Sequence, residues 1–506
     1  MNYMFLIGFI LVIACMLFIS VQAGKKVHSS RDFAGQGSKN STLMVCGGIM
    51  GALVGSQTSL GTVQLAFYFG MAAWWFTLGA GLGCLVLFLF YIKPLRKKKS
   101  LTITAMIAED YGKRIGSISS VLSSLGTYIS IIVQIISCAG IVTVIFPGLT
   151  MLTAIILSMA MMSLYLVFGG AVSINAIGAV KSVMLYGVLL LGMFAVIWHF
   201  GGFISIGEQL EKVLLQGGLG QIRAGIGYPV IKDHADVASS YYSLHARGPN
   251  SGPGAALSMI LGVVSTQTYA QTVICARSYK EARRGTLICA AVIPPMGIAG
   301  ILIGLYMRIY YITAQEAALM TSAGYPTGEF TIIQSAVQAL PVYIMDAFPP
   351  IVAGMAIAAL IVTVVSAGAG LTLGMDTTIY NDLYKTFLGS HGEKRDLRIF
   401  RMLVVITFVL GGVLAYFLQQ GLINDLGFLS MGLRGSVIFV PLGISLFFHR
   451  KPHTGSVKLS VIAAPIVLIL GKIMHLSINP LFLAIGVAII ICLTGKIFSK
   501  NSVSEL

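Results

Sequence analysis

The chain has 506 residues, 57% of them hydrophobic and 10% charged, with a mean hydropathy of +0.90. A water-soluble globule of this length cannot hide so much apolar surface, so a soluble enzyme or regulatory domain is excluded and the surplus faces lipid. The net charge of +16 does not indicate nucleic acid, because the basic residues gather in alternate loops rather than in one patch.

Apolar segments long enough to cross a bilayer are centred near Ile10, Ala52, Gly83, Ile131, Ile156, Leu189, Leu261, Ile301, Leu360, Phe408, Gly435, Pro465 and Ala488. The expected fold class is an all-α polytopic membrane protein of about 13 transmembrane helices. The first segment, MNYMFLIGFILVIACMLFIS, is full-length, lacks Lys or Arg before it and is followed by basic residues, so it reads as a retained helix and not a secretory signal. Basic loops hold Lys25, Lys26, Arg31 and Lys39, then Lys93 to Lys99 with Lys113 and Arg114, then Arg277 to Arg284. Further on come Lys385 to Arg401, Arg450 with Lys451, and Lys496 with Lys500. The positive-inside rule then puts the N-terminus outside and the C-terminus in the cytoplasm of a multi-pass cell-membrane protein. The longest external stretches are Gly201 to Pro253 and Thr313 to Pro349, and the first reads as a loop with short surface helices. His234 and His245 are isolated loop histidines with no assigned role. Cys15, Cys46, Cys84, Cys138, Cys275, Cys289 and Cys492 lie in apolar segments without C-x-x-C spacing, which indicates packing and neither a disulfide framework nor zinc.

Without the first helix, the next five segments and the five after them begin alike. One set opens on VGSQTSLGTVQ and the other on GVVSTQTYAQT, both rich in Ser, Thr and Gln beside Gly. Five is odd, so the two sets insert in opposite orientations, and interrupted helices at matching places in inverted halves point to a secondary transporter's binding site. Close helix packing through small residues is the competing explanation. Where a helix unwinds inside protein, glycine permits the irregular backbone, and the freed carbonyls, hydroxyls and amides become ligands at mid-depth. The divisions expected are an extra helix at 1–23, a first repeat at 42–200, an external loop at 201–252, a second repeat at 253–449, two C-terminal helices at 454–497 and a cytoplasmic tail at 498–506.

From its start to about Gly471 the chain resembles the solute:sodium symporter family, through SSRDFAGQGSKN, LTITAMIAEDYGKRIGS, YLVFGGAVSINAIGAVKSVMLYG, AQTVICARSYKEARRG and PPIVAGMAIAALIVTVVSAGAG followed by YNDLYK. The resemblance implies a LeuT-type 5+5 inverted repeat with one helix before it and two after, and alternating access. It also implies a sodium site between carbonyls of the first core helix, around Gly51 to Gly55 with Val54, and the eighth core helix. There the family's adjacent hydroxyls fall on Ser366 and Ala367, so one is missing, and Thr363 holds the carbonyl position with a hydroxyl to compensate. On the fifth core helix the family's Asp and Gln positions are occupied by Gly178 and Lys181.

The sequence thus resembles a divergent member with an altered sodium site. Burying a lysine costs about 2.5–3.5 kcal/mol on insertion scales, so such a residue is seldom accidental. Lys181 either snorkels to water or fills the vacated cation site against Ser366 and the broken helix, and burial in general disfavours a charged amine. The coupling ion expected is H⁺, with Na⁺ the alternative at Ser366, and no other cofactor. Arg434 is assigned to anion recognition, with a structural pairing to carbonyls or to Asp376 as the competitor. No Asp or Glu lies mid-helix near either break, so the solute expected is a small anion or zwitterion. Its assigned contacts are Ser56, Gln57, Thr58, Ser59, Gln64, Ser265, Gln267, Tyr269 and Arg434, with Trp74 and Trp75 as further lining. Paired carboxylates, H-E-x-x-H and G-x-S-x-G are absent from the segments, which argues against an enzyme. A transporter-like sensor and a proton-conducting subunit are the readings from other classes. Partners are a small solute and lipid; the oligomeric state is open, and a monomer is compatible.

Overall fold

The computed structural model describes residues 2–24, 40–98, 100, 102–389, 392–419, 421–476 and 478–501. Lys25, Lys26, Arg31, Lys39, most of SSRDFAGQGSKN and the tail beyond Asn501 lie outside the described residues. The principal helices are α1 (Tyr3–Gly24), α2 (Thr42–Leu53), α3 (Leu60–Phe69), α4 (Trp74–Val86), α5 (Lys113–Ile145), α6 (Met151–Phe200) and α7 (Ser251–Ser265). They continue as α8 (Gln267–Ile274), α9 (Tyr279–Tyr310), α10 (Pro350–Thr378), α11 (Glu393–Leu418), α12 (Ile423–Phe447), α13 (Thr454–Ile473) and α14 (Pro480–Asn501). Among the described residues, nine helices are long and apolar enough to cross a bilayer and four more are shorter and apolar.

The helical segment α6 holds two spans, Met151–Phe168 and Ile177–Phe200. On a straight helix Met162 and Lys181 would stand about 28 Å apart. Yet a Cβ on Gly368 would touch the Met162 sulfur, and Lys181 bonds Thr363, only five residues away on α10. The two spans therefore lie side by side against α10. That helix is the centre of the bundle, burying 83% of its most apolar window against 28% for Met151–Phe168.

Glycines set the remaining approaches. Along α9, Gly300 and Gly304 meet Thr62 and Ala66, whereas Gly297 and Pro294 meet Thr77 and Gly81. So α3 runs parallel to α9 and α4 antiparallel to it, and the chain reverses between them at Gly70 (φ +50) beneath Tyr241. The extra helix α1 packs on α10, where a Cβ on Gly354 would stand 2.1 Å from the Phe5 carbonyl.

One end of the bundle carries the basic loops. There Arg96 donates to the carbonyls of Val273, Ile274 and Ala276, which caps the last turn of α8 with a cation. Asp110 is held by Lys98, Lys451 and Ser445. Burial alone would raise its carboxyl, but those partners outweigh it and keep it below the usual range. At the other end the 201–253 loop does carry surface helices, chief among them Phe203–Leu215. The 313–349 loop departs from an all-helical pattern: Tyr311–Thr313 and Thr331–Ile333 form a short parallel pair. Here Arg247 grips Asp425 in a fork, at 2.6 and 2.8 Å, over the face of Phe69. Arg308 and Glu316 form a fully buried ion pair. His234 is bonded to Glu211, and His245 lies beside Trp75.

Candidate functional site

Both predicted interruptions are present. Between α2 and α3 the chain leaves helical geometry at Val54 and does not resume until Leu60; between α7 and α8 it does so at Thr266 (φ −95, ψ 122). Every residue from Gly51 to Ser59 is buried, so each freed polar group needs a partner inside the protein. The first break is partly sewn by its own side chains, since Thr58 and Ser59 both donate to the Gly55 carbonyl at 2.9 Å. Gln134 on α5 accepts from the Ser56 amide at 3.1 Å.

The last carbonyls of α2 point at Lys181. Its Nζ donates to Gly51 O at 2.7 Å, Thr363 O at 2.9 Å and Val54 O at 3.0 Å. An ammonium has three N–H groups, so its donors are satisfied, and the residue is fully buried rather than snorkelled. The negative end of a half-helix and a carbonyl of α10 thus face a fixed positive charge. Ser366 does not bond the amine directly; its hydroxyl donates to the same Thr363 carbonyl at 3.4 Å. The expectation that Thr363's hydroxyl fills in for the missing one needs correction: it turns back along α10 to Ala359 O at 2.7 Å. Ala367 packs on Gly55, where an added Cβ would come within 2.6 Å of its methyl.

Gly178 explains how the lysine gets there. A Cβ at this position would stand 2.1 Å from Gly47 O, so α6 rests backbone to backbone on α2 and delivers the next turn to its end. Gly178→Ala is expected to cost about 1–3 kcal/mol by overpacking, read as a lowered thermal midpoint, and to cut transport by withdrawing Lys181. Unchanged uptake would mean the close approach is dispensable.

Arg434 sits at the second break, fully buried. It donates to Thr266 Oγ1 at 2.8 Å, Ser430 Oγ at 2.9 Å, Ser130 Oγ at 3.2 Å and Ser430 O at 3.2 Å. No ion pair between Arg434 and an acid occurs among the described residues, and Asp376 instead bonds Thr407. Thr266, which Arg434 holds, is the N-cap of α8, so the guanidinium stands at the positive end of that half-helix. Beside them lies a small cavity of ≈ 20 Å³, with Ser265, Thr266, Gln267 and Thr268 on one wall and Ser124 and Thr127 on another. The Ser265 hydroxyl has no hydrogen-bond partner among the described residues, and Tyr269 lies next to the guanidinium.

Other assigned residues have these partners. Gln64 accepts from the Ile423 amide, fixing α12 to α3. Gln267 accepts from the Ile103 amide, joining α8 to the short helix Ile103–Tyr111. The indoles of Trp74 and Trp75 bond the Pro294 and Leu244 carbonyls and serve packing. At the first break, Gln57 Nε2 and Ser56 Oγ have no partners among the described residues. Sequence reasoning missed Gln134, Ser130, Ser430 and Asn424, whose buried carboxamide is wholly unpartnered near Gly61. Gln134 had a signal, as the one amide in the apolar run SIIVQIIS. Asp382 is also new: it accepts from Thr102, Thr104 and Ser120, tying the end of α10 to α5 and to the start of the short helix.

Paired helix breaks at mid-bundle, with a charge seated on one and a cation beside the other, define a LeuT-type secondary transporter. A profile of the sodium:solute symporter family matches residues 37–462, and the chain belongs to that family. A Na⁺-coupled sialic acid symporter in a substrate-bound outward-open state superposes with a TM-score of 0.72 at 18% identity, over 99% of this chain and 98% of that one. The inward-facing conformation of Mhp1 gives 0.53 at 13% identity over 92% of each chain. Mhp1 closed on bromovinylhydantoin, a nucleobase-cation-symport-1 family transporter, gives 0.52 at 12% over 92% and 93%. At these identities the likeness is one of fold.

Proposed function

We propose that this protein moves a small anionic or zwitterionic solute by alternating access without sodium, the Lys181 ammonium standing where other members of the family hold the ion, with H⁺ as the coupling ion. The observation that carries this is the three-carbonyl seat of Lys181. A tethered ammonium and a Na⁺ compete for the same oxygens, and the tethered one is always present. The anion preference rests on Arg434 and the start of α8, which offer positive charge without a counter-ion. The basic end is taken as cytoplasmic, which leaves the N-terminus outside and puts the protein in the cell membrane. Residues 42–200 and 253–449 are read as the two inverted halves. Ser56, Gln57, Ser265 and Tyr269 remain the assigned solute contacts, while Thr58 and Ser59 shape the break.

The test is uptake of radiolabelled amino acids and short carboxylates into proteoliposomes, in potassium buffer under an inward pH gradient and in sodium buffer without one. Accumulation in the first condition, unchanged by added Na⁺, is expected. Strict dependence on Na⁺ overturns the reading and leaves an ordinary sodium-coupled symporter.

A further inference from the structure

Among the described residues no acid or imidazole bonds Lys181, whose Nζ donates to three carbonyls. A second titratable group is differently placed. Asp376 lies on α10 between three and four turns beyond Thr363, towards the basic end, and is fully buried. One of its carboxyl oxygens accepts from Thr407 Oγ1 of α11 at 3.0 Å, while Oδ2 has no hydrogen-bond partner among the described residues. Among the described residues no cationic side chain pairs with this carboxyl. Titratable side chains on the elements packed against α10 include Tyr128 on α5, Tyr165 on α6, and Asp396 and Arg401 on α11, with Tyr380 and Asp382 in the continuation Ile379–Tyr384 beyond α10 itself. None of these bonds it, and α2 and α8 bring no acidic or basic side chain. An unpaired buried carboxylate is costly, and a proton is the smallest partner that removes the charge.

Thr372, Asp376 and Tyr380 follow at four-residue spacing and so share one face of the helix. The Thr372 hydroxyl also has no partner among the described residues. Tyr380 stacks on Tyr384 at 5.6 Å and lies beside Asp396, at the start of α11 and 4% exposed. The polar line thus runs from the level of the breaks to the basic surface.

We propose that Asp376 is the binding site of the coupling proton. Its carboxyl is neutral in the arrangement seen here; it gains H⁺ from water on the outer side and, when α10 and α11 part, gives it to water on the basic side by way of Tyr380 and Asp396. No bond other than O–H forms or breaks, and no electron moves. This rests on the proton-coupled reading only for the identity of the ion, and leaves Lys181 on its three carbonyls.

The test uses the full chain in proteoliposomes with trapped pyranine, and a mixture of amino acids and short carboxylates as the probe. Adding the mixture outside is expected to acidify the lumen of wild-type vesicles. In Asp376→Asn, which fixes the neutral form, acidification falls below about a tenth of the wild-type rate while labelled counterflow of the same mixture persists. Asp376→Glu retains acidification. The infrared C=O band of a protonated carboxyl, present in the wild type at neutral pH, disappears in Asp376→Asn. Wild-type acidification that survives Asp376→Asn, or an unchanged infrared band, overturns this assignment alone. A Na⁺ requirement in the wild type overturns the proton-coupled reading with it, and loss of counterflow in Asp376→Asn overturns the assignment in favour of a structural role.

Discussion

Lys181→Ala is expected to abolish transport in sodium-free buffer and to make what remains responsive to Na⁺. The substitution leaves the carbonyls of Gly51, Val54 and Thr363 converging on an empty space. Hydrogen bonds to a charged group contribute about 1.5–3 kcal/mol each. Losing a buried charge from a satisfied cluster costs about 3–5 kcal/mol, a fall of two orders of magnitude or more in the population that keeps this arrangement. The vacated seat offers three carbonyls and, one bond away, the Ser366 hydroxyl. Adding Ala367→Ser restores the second hydroxyl of the family pattern, so the double variant is expected to transport only with Na⁺. Its serine must share the space with Gly55, where Ala367 already packs closely, and Gly55 is therefore expected to tolerate no side chain in either background. Wild-type uptake by Lys181→Ala without Na⁺ would show that the ammonium is a bystander.

The second large effect falls on Arg434. Its guanidinium is held by serine and threonine oxygens alone, and hydroxyls yield to a carboxylate that accepts two parallel N–H bonds. Arg434→Ala is expected to lower kcat/KM for an anionic solute about 100-fold, near the 3 kcal/mol scale of one charge-assisted pair. Arg434→Lys retains the charge but not the fork, and a loss of about tenfold, chiefly in KM, is expected. Thermal unfolding separates recognition from packing. If both variants unfold early and keep the wild-type KM, the guanidinium is a brace between α5, α7 and α12 and the solute's charge is read elsewhere.

The breaks were legible because glycine, hydroxyls and amides are out of place in an apolar run, and because the two runs match. Lys181 was legible for the same reason, as a charge where lipid-facing sequence has none. Gly178 was visible only as a missing carboxylate; its use as the contact of α6 on α2 is tertiary. The hydroxyls that hold Arg434 could not be found, because Ser130 and Ser430 look like any small residue in a membrane helix and gain meaning only when α5 and α12 face each other. The partners of Gln64 and Gln267 were hidden for the same tertiary reason: Gln64 accepts from the Ile423 amide, and Gln267, on the wall of the cavity, accepts from the Ile103 amide. Thr363 shows the limit of a hydroxyl read from position alone, since on a helix it bonds its own preceding turn whenever nothing better is offered.

Solving the protein in saturating sodium chloride, at a resolution that distinguishes an ammonium from an ion, tests the central claim most directly. The account predicts the Lys181 amine on the carbonyls of Gly51, Val54 and Thr363 with no Na⁺ between α2 and α10. An amine turned to water, with Na⁺ beside Ser366, would contradict it.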